Sequence, residues 1–197
     1  MMKKECILNA AIKLFAKNGV YATSTLSLAH AAGVAEGTIF RHFSNKEEIF
    51  FKILSSLYEK MAKEFEDEFS RTEAAHGLPV IKHATGLFLE FALENRDYFT
   101  ILFNEAPSRY IHMENAAVNV LKDIYDYIVA FFVKNIEYGK NCGSIRPTVK
   151  SESVAVIMAC AVIGLARLRH FGVVCKDEPA VVEQLMESFD RMLSVSD

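Results

Sequence analysis

The stretch Ser27-Leu28-Ala29-His30-Ala31-Ala32-Gly33-Val34-Ala35-Glu36-Gly37-Thr38-Ile39-Phe40-Arg41-His42-Phe43 holds two short helical patterns on either side of Gly33, too close together to be independent helices. Leu28, Ala29 and Ala32 give the first pattern an apolar face, with alanine where a second helix must come close. Gly33 suits the left-handed backbone of a tight turn, which costs a residue with a Cβ more. Val34 plugs the corner, and Ile39 and Phe43, one helical turn apart, hold the second helix to the core. Glu36, Gly37, Thr38, Phe40, Arg41 and His42 are left pointing away from it. This is the pattern of a helix-turn-helix, whose second helix enters the DNA major groove.

The rest of the chain reads as helices too. A first helix is expected from about Lys4 to Asn18, with Ile7, Ala11, Leu14 and Phe15 on one face and Gly19 as its stop. The hydroxyls of Thr23-Ser24-Thr25 suit a cap for the next. Ser44-Asn45-Lys46-Glu47 reads as a capping box, Ser44 capping the Glu47 amide while Glu47 reaches back. It opens a long helix striped by Phe50, Leu54, Leu57, Met61 and Phe65, expected to fray near Arg71-Thr72-Glu73 and to stop before His76-Gly77-Leu78-Pro79. Further helices are expected from Pro79 to about Asn95, from Tyr98 to Asn104 before Pro107, and from about His112 to Gly139. Gly139 and Gly143 read as a break, after which two last helices run from about Ser151 to Phe171 and from Pro179 to Val195. The expectation is an all-α chain of about nine helices. Three form a head, residues 1–46, and six lie in or lead into a body, residues 47–197.

The run Leu28-Ala29-x-x-Ala32-Gly33-Val34-x-x-Gly37-Thr38-Ile39-Phe40-x-His42-Phe43-x-x-Lys46-Glu47 closely resembles the DNA-binding domain of the TetR family of transcriptional regulators. The resemblance covers roughly Cys6 to Leu54. It implies an all-helical homodimer with a variable ligand-binding domain behind the reading head. It also implies DNA contacts from Thr38 and His42, with Arg41 free to reach a base edge or the backbone. Arginine suits bidentate contact with guanine O6 and N7. Glu36 could accept from cytosine N4, and Gly37 lets the backbone approach. Thr25 and Ser27 match positions that touch the backbone in relatives, although Ser27 could equally be a simple cap. Lys46, at a helix start, is expected to anchor a phosphate. Phe40 stands where the family usually has Tyr and cannot donate to a phosphate; packing on a sugar or a thymine methyl is its alternative. Leu26 is apolar where some relatives read a base with a polar side chain. Ala35 replaces a usual Ser cap, at about 1 kcal/mol of helix stability.

Charge fits this reading once it is divided. The net charge is −3, but residues 1–46 carry +4 and the remainder −7, so a favourable field lies only where phosphates would dock. Cys6, Cys142, Cys160 and Cys175 are scattered without C-x-x-C spacing, as reduced thiols would be. Met1-Met2-Lys3-Lys4 runs into a charged amphipathic helix rather than an apolar signal segment, and the apolar run 154–166 is shorter than the roughly 20 residues of a bilayer span. A cytoplasmic protein with no membrane partner is expected.

In the body, Phe88, Phe91, Phe99, Phe103, Tyr125 and Met158 are candidates to line a cavity for a small, largely apolar effector, with His83, Asn104, Tyr127 and Arg167 as polar handles. Glu137-x-Gly139-x-x-x-Gly143-x-Ile145-Arg146-Pro147 resembles the turn of TetR relatives that respond to fatty acyl-CoA. The helix through Val154–Ala166 is apolar on every side and must be covered on every side. Its small residues Ala155, Ala159, Gly164 and Ala166, with Val182, Leu185, Met186 and Phe189 of the last helix, are candidates for a four-helix homodimer interface about a two-fold axis. Enzyme readings find little: no G-x-S-x-G elbow, H-E-x-x-H, P-loop or metal-ligand spacing, and no cofactor or metal is expected. A rival reading is a ligand-binding module whose head no longer reads DNA, which Phe40, Leu26 and Ala35 would favour.

Overall fold

A computed structural model of the chain describes residues 2–70, 77–104, 116–173 and 178–195. Among these described residues there are nine helices and no strand. They are α1 (Met2–Asn18), α2 (Thr25–Ala32), α3 (Glu36–His42), α4 (Lys46–Phe69), α5 (Leu78–Glu94), α6 (Arg96–Asn104), α7 (Ala116–Cys142), α8 (Ser151–His170) and α9 (Glu178–Leu193). The expected fraying at Arg71-Thr72-Glu73, the stop at His76, Pro107, the helix start at His112, and Cys175 lie outside the described residues.

The short helices of the head are fixed by their ends. Ser24 Oγ accepts the Ser27 N–H at 3.0 Å, so α2 starts on a hydroxyl cap. Gly33 ends it at φ 65°, and the Val34 N–H returns to the Ala29 carbonyl at 3.0 Å, which closes the turn. Ala35 stands at the start of α3 with no side-chain cap, as its chemistry dictates. The box that opens α4 is shifted by one residue from the sequence expectation. Asn45 Oδ1, not Ser44, takes a helix N–H, that of Glu48, at 2.8 Å, and Glu48 Oε2 reaches back to the Ser44 N–H at 2.6 Å. Ser, Asn and two Glu in sequence allow either register, and backbone direction selects the asparagine.

The chain divides into two compact units. The first comprises Met1–Met61 and Asn95–Lys122. Here α1 packs on α2, and α2 on α3, around Ile7, Ala11, Phe15, Leu28, Ile39 and Phe43. The first half of α4 contributes Phe50, Leu54 and Leu57. By packing, this unit reaches past residue 46 and also takes in α6, which lies against α1 although about eighty residues separate them in the chain.

The second unit comprises Ala62–Glu94 and Asp123–Asp197. In it α5 packs on α8 and α9. Its core includes Phe65, Ile81, Phe88, Phe91, Ile128, Phe132, Met158, Val162 and Phe189. Lys82 Nζ meets Asp190 Oδ2 at 2.5 Å and the Arg146 N–H bonds to the Leu193 carbonyl at 3.0 Å, tying α9 to α5 and to the turn before α8. Gly139 does not break α7, which runs on to Cys142. A Cβ at Gly139 would lie 2.5 Å from Ile145 Cδ1 and 2.6 Å from Cγ1, so this glycine is where the fully buried Ile145 reaches the helix backbone. The left-handed stop belongs to Gly143, at φ 79°. The whole of α8, longer than the apolar run counted from sequence, is long and apolar enough to cross a membrane by length and composition. Its inner stripe of Ala155, Met158, Ala159, Val162 and Leu165 is instead buried in the unit's core.

Candidate nucleic-acid interface and effector cleft

The recognition helix α3 has seven residues and one buried side chain, Ile39. On a helix with Ile39 and the following Phe43 turned inward, Gly37 and Arg41 fall opposite, flanked by Phe40 on one side and Thr38 on the other. Gly37, Phe40 and Arg41 are exposed accordingly, and Thr38 is half-buried. Phe40 shows 56% of its surface and Leu26, on α2, 66%. The head therefore offers a glycine gap, a guanidinium and two bare apolar side chains.

Four residues expected to contact DNA, Thr25, Glu36, Ser27 and Lys46, are engaged within the head. Thr25 Oγ1 donates to Glu36 Oε1 at 2.5 Å, which joins the starts of α2 and α3. Ser27 is exposed, but its Oγ donates to the Ser24 carbonyl at 2.8 Å as part of the cap. Lys46 is turned inward, its Nζ donating to the carbonyls of Val20, Tyr21 and Thr23 at 3.1, 3.0 and 2.9 Å. His42 Nε2 is shut off from solvent with no hydrogen-bond partner, so a DNA contact through that nitrogen needs the ring to turn. The basic residues Lys3, Lys4, Lys13, Lys17 and Arg41 are all exposed and supply the positive field.

The six aromatic and methionine candidates of the body are divided between the two units. Phe99 and Phe103 belong to α6 in the first unit, with ring centroids 5.5 Å apart. Phe91 and Met158 are solid core of the second. Tyr125 is half-buried there; burial raises its phenol pKa, and Arg167 partly opposes the shift. Phe88 lines a void of about 10 Å³ shared with Phe65, Ala84, Ile128, Phe131, Phe132 and Val162. That space holds one water at most. Beside it, the end of α4 and the middle of α7 form an open cleft of about 430 Å³ lined by Ala62, Phe65, Glu66, Phe69, Ser70, Tyr127, Phe131 and Lys134. Its rings are in mutual contact: Phe65 lies 5.4 Å from Phe131 and 6.2 Å from Tyr127, and Phe69 lies 5.2 Å from Phe131. The signal for this cleft is in the sequence, as aromatic pairs four apart on both helices, 65/69 and 127/131, but only packing brings them together.

The small residues expected at a dimer interface are corrected in part. Ala155, Ala159, Ala166 and Phe189 lie in the chain's own core. Val182, Leu185 and Met186 are half-buried, and Gly164 has open space where its side chain would be. The outer face of α8 is instead Val156, Ile157, Cys160 and Leu168, with Phe171 beyond it, and Ile157 is 56% exposed. A helix apolar all round gives no sequence signal for which side is outermost.

A helix-turn-helix head on an all-helical chain is the architecture of DNA-binding regulators. Residues 7–53 match the family model for bacterial regulatory proteins of the tetR family. The chain is 28% identical over 145 residues to the uncharacterized HTH-type transcriptional regulator YhgD of Bacillus subtilis, covering 74% of this chain and 73% of that protein. Among solved structures it resembles the Bacillus subtilis transcriptional regulator FadR in complex with stearoyl-CoA (TM-score 0.73, 18% identity, 93% of this chain and 96% of that one). It also resembles a transcriptional regulator from Saccharomonospora viridis in complex with choline (TM-score 0.78, 17% identity, 98% and 97%). The head, residues 7–53, is that of the tetR family of bacterial regulatory proteins, and the chain shares the all-helical fold of these solved regulators.

Proposed function

We propose that this protein is a repressor that binds a palindromic operator as a homodimer and leaves it when a small, largely apolar effector enters the body. The observation that carries the reading is the outer face of α3, where Gly37, Phe40 and Arg41 stand free while Ile39 anchors the helix. Arg41 reads a base edge, Gly37 allows close backbone approach, and Thr38 contacts the backbone beside them. Residues 1–46 do the reading; residues 47–197 bind effector and dimerise.

The exposed apolar face of α8 supports the homodimer, with Val156, Ile157 and Leu168 meeting their counterparts and Val182, Leu185 and Met186 of α9 at the rim. A two-fold pair places its heads for half-sites about 34 Å apart or a multiple. The effector lies in the aromatic cleft of α4 and α7, whose size is within the usual range for ligand sites. A fatty acyl compound suits its rings, with Tyr127 and Lys134 near a polar end, and the stearoyl-CoA of the FadR neighbour favours the same class. Effector shifts α4, and with it the heads, only by as much as it prefers that state. The protein acts in the cytoplasm, where it meets DNA.

The test is binding of the purified protein to the DNA upstream of its own gene across a salt series. Salt-sensitive protection of a palindrome that a long-chain acyl-CoA abolishes is the expected result. Weak, sequence-blind binding at every upstream fragment would favour a ligand-binding module with a relic head.

A further inference from the structure

We infer that Lys46 is a positioning residue, a latch that holds the α1–α2 turn against the start of α4, and that it does not anchor a phosphate. The inference rests on the DNA-reading function of the head. An ammonium has three protons to donate, and all three of this one are met by the carbonyls of Val20, Tyr21 and Thr23, each within 3.1 Å. These carbonyls belong to the connection between α1, which ends at Asn18, and α2, which begins at Thr25, and a turn carbonyl without a partner is costly when water is excluded. The same connection is braced from the other side by Thr23, whose buried hydroxyl donates to the Gly19 carbonyl at 2.8 Å. A phosphate reaching Lys46 would have to take a proton from one of these bonds.

The latch has a direction. Lys46 is the first residue of α4, and Thr23 is followed at once by the Ser24 cap of α2. Thr25 then bonds Glu36 at the start of α3. A shift of the start of α4 is therefore passed through the turn to α2 and from α2 to the recognition helix. Lys46 makes α4 and the reading surface move together, and its effect on DNA binding comes from pre-organisation rather than from charge on a phosphate.

The test uses the full chain, a duplex selected from a random library by the wild type, and the variants Lys46→Met and Lys46→Arg. Removing one cationic partner of a DNA phosphate lowers the slope of log K against log salt by about 0.9. Lys46→Met is expected to bind several-fold more weakly by the same factor at every salt concentration, with the slope unchanged. In the free protein, its amides at residues 20–25 should exchange with solvent about tenfold faster or more. Lys46→Arg, which keeps the charge but cannot send three donors from one atom to the three carbonyls, should share the faster exchange. A slope lower by about 0.9 with unaltered exchange at 20–25 would make Lys46 a phosphate anchor and overturn the latch. Should Lys46→Met fail to fold, the Lys46 ammonium protons of the wild type decide. Slow exchange in the free protein and an unchanged 15N shift on adding DNA uphold the latch; a large shift rejects it. If no duplex is selected, the DNA-reading function fails, and exchange in the free protein still judges the latch on its own.

Discussion

Arg41 and Phe40 carry the reading surface by different physics. Arg41 can hydrogen-bond a base edge, so Arg41→Ala should cost about 1–3 kcal/mol of binding and relax preference at one base pair per half-site. Competition between duplexes substituted one pair at a time measures this; equal losses at all positions would make Arg41 a backbone contact. Phe40 lacks the hydroxyl that would reach a phosphate and is more than half exposed. If it packs on a thymine methyl, replacing operator thymines by uracil should weaken the wild type several-fold and leave Phe40→Ala unchanged. At this scale the sequence was informative about residue type and poor about engagement. Thr25, Ser27 and Lys46 have the donors a phosphate site needs, yet their donors go to Glu36, the Ser24 carbonyl and a turn. A side chain's partners depend on backbone atoms far along the chain, which no local pattern reveals.

At the level of helices, ends and crossings decide stability. Asn45→Ala removes the cap of α4 and should destabilise the protein by about 1 kcal/mol in urea unfolding, while Ser44→Ala should change little. Gly139→Ala gains about 1 kcal/mol of helix propensity. It must also push a fully buried Ile145, which costs about 1–3 kcal/mol, so net destabilisation is expected, relieved by Ile145→Val. Glu137 joins the end of α7 to the start of α8 by accepting from Ser151 and from Lys140, at 2.9 Å for the lysine. The Ser151 hydrogen bond first, then Lys140, lowers its pKa below the ordinary glutamate value. A lowered carboxyl contributes stability above its unfolded pKa and loses it as pH falls through the folded one. Wild type should therefore lose stability faster than Glu137→Gln between about pH 5 and 3; parallel curves in acid unfolding would deny the contact any weight.

For the molecule as a whole, the outer face of α8 is the prediction with most reach. Ile157→Glu places a charge on an exposed apolar face without touching the core, so it should abolish dimers in sedimentation and weaken operator binding steeply while the monomer stays folded. Cys160 lies on the same face, and oxidation or a short bis-maleimide should link two copies through it. Linked dimers that fail to form, with sedimentation showing dimers, would move the interface elsewhere.

The spacing of apolar residues and the glycine at the turn were enough to determine helices and the helix-turn-helix, because those are local matters of periodicity and backbone conformation. Gly33, Ile39 and Phe43 do in the folded chain what their types and spacing require. Tertiary structure alone decided that α6 joins α1, that Ala155 and Phe189 are core rather than interface, that Gly139 is a crossing point rather than a stop, and that Lys46 faces inward. Each is a contact between residues remote in the chain, or a choice among equally apolar faces, and the energy that settles it exists only once the helices are packed.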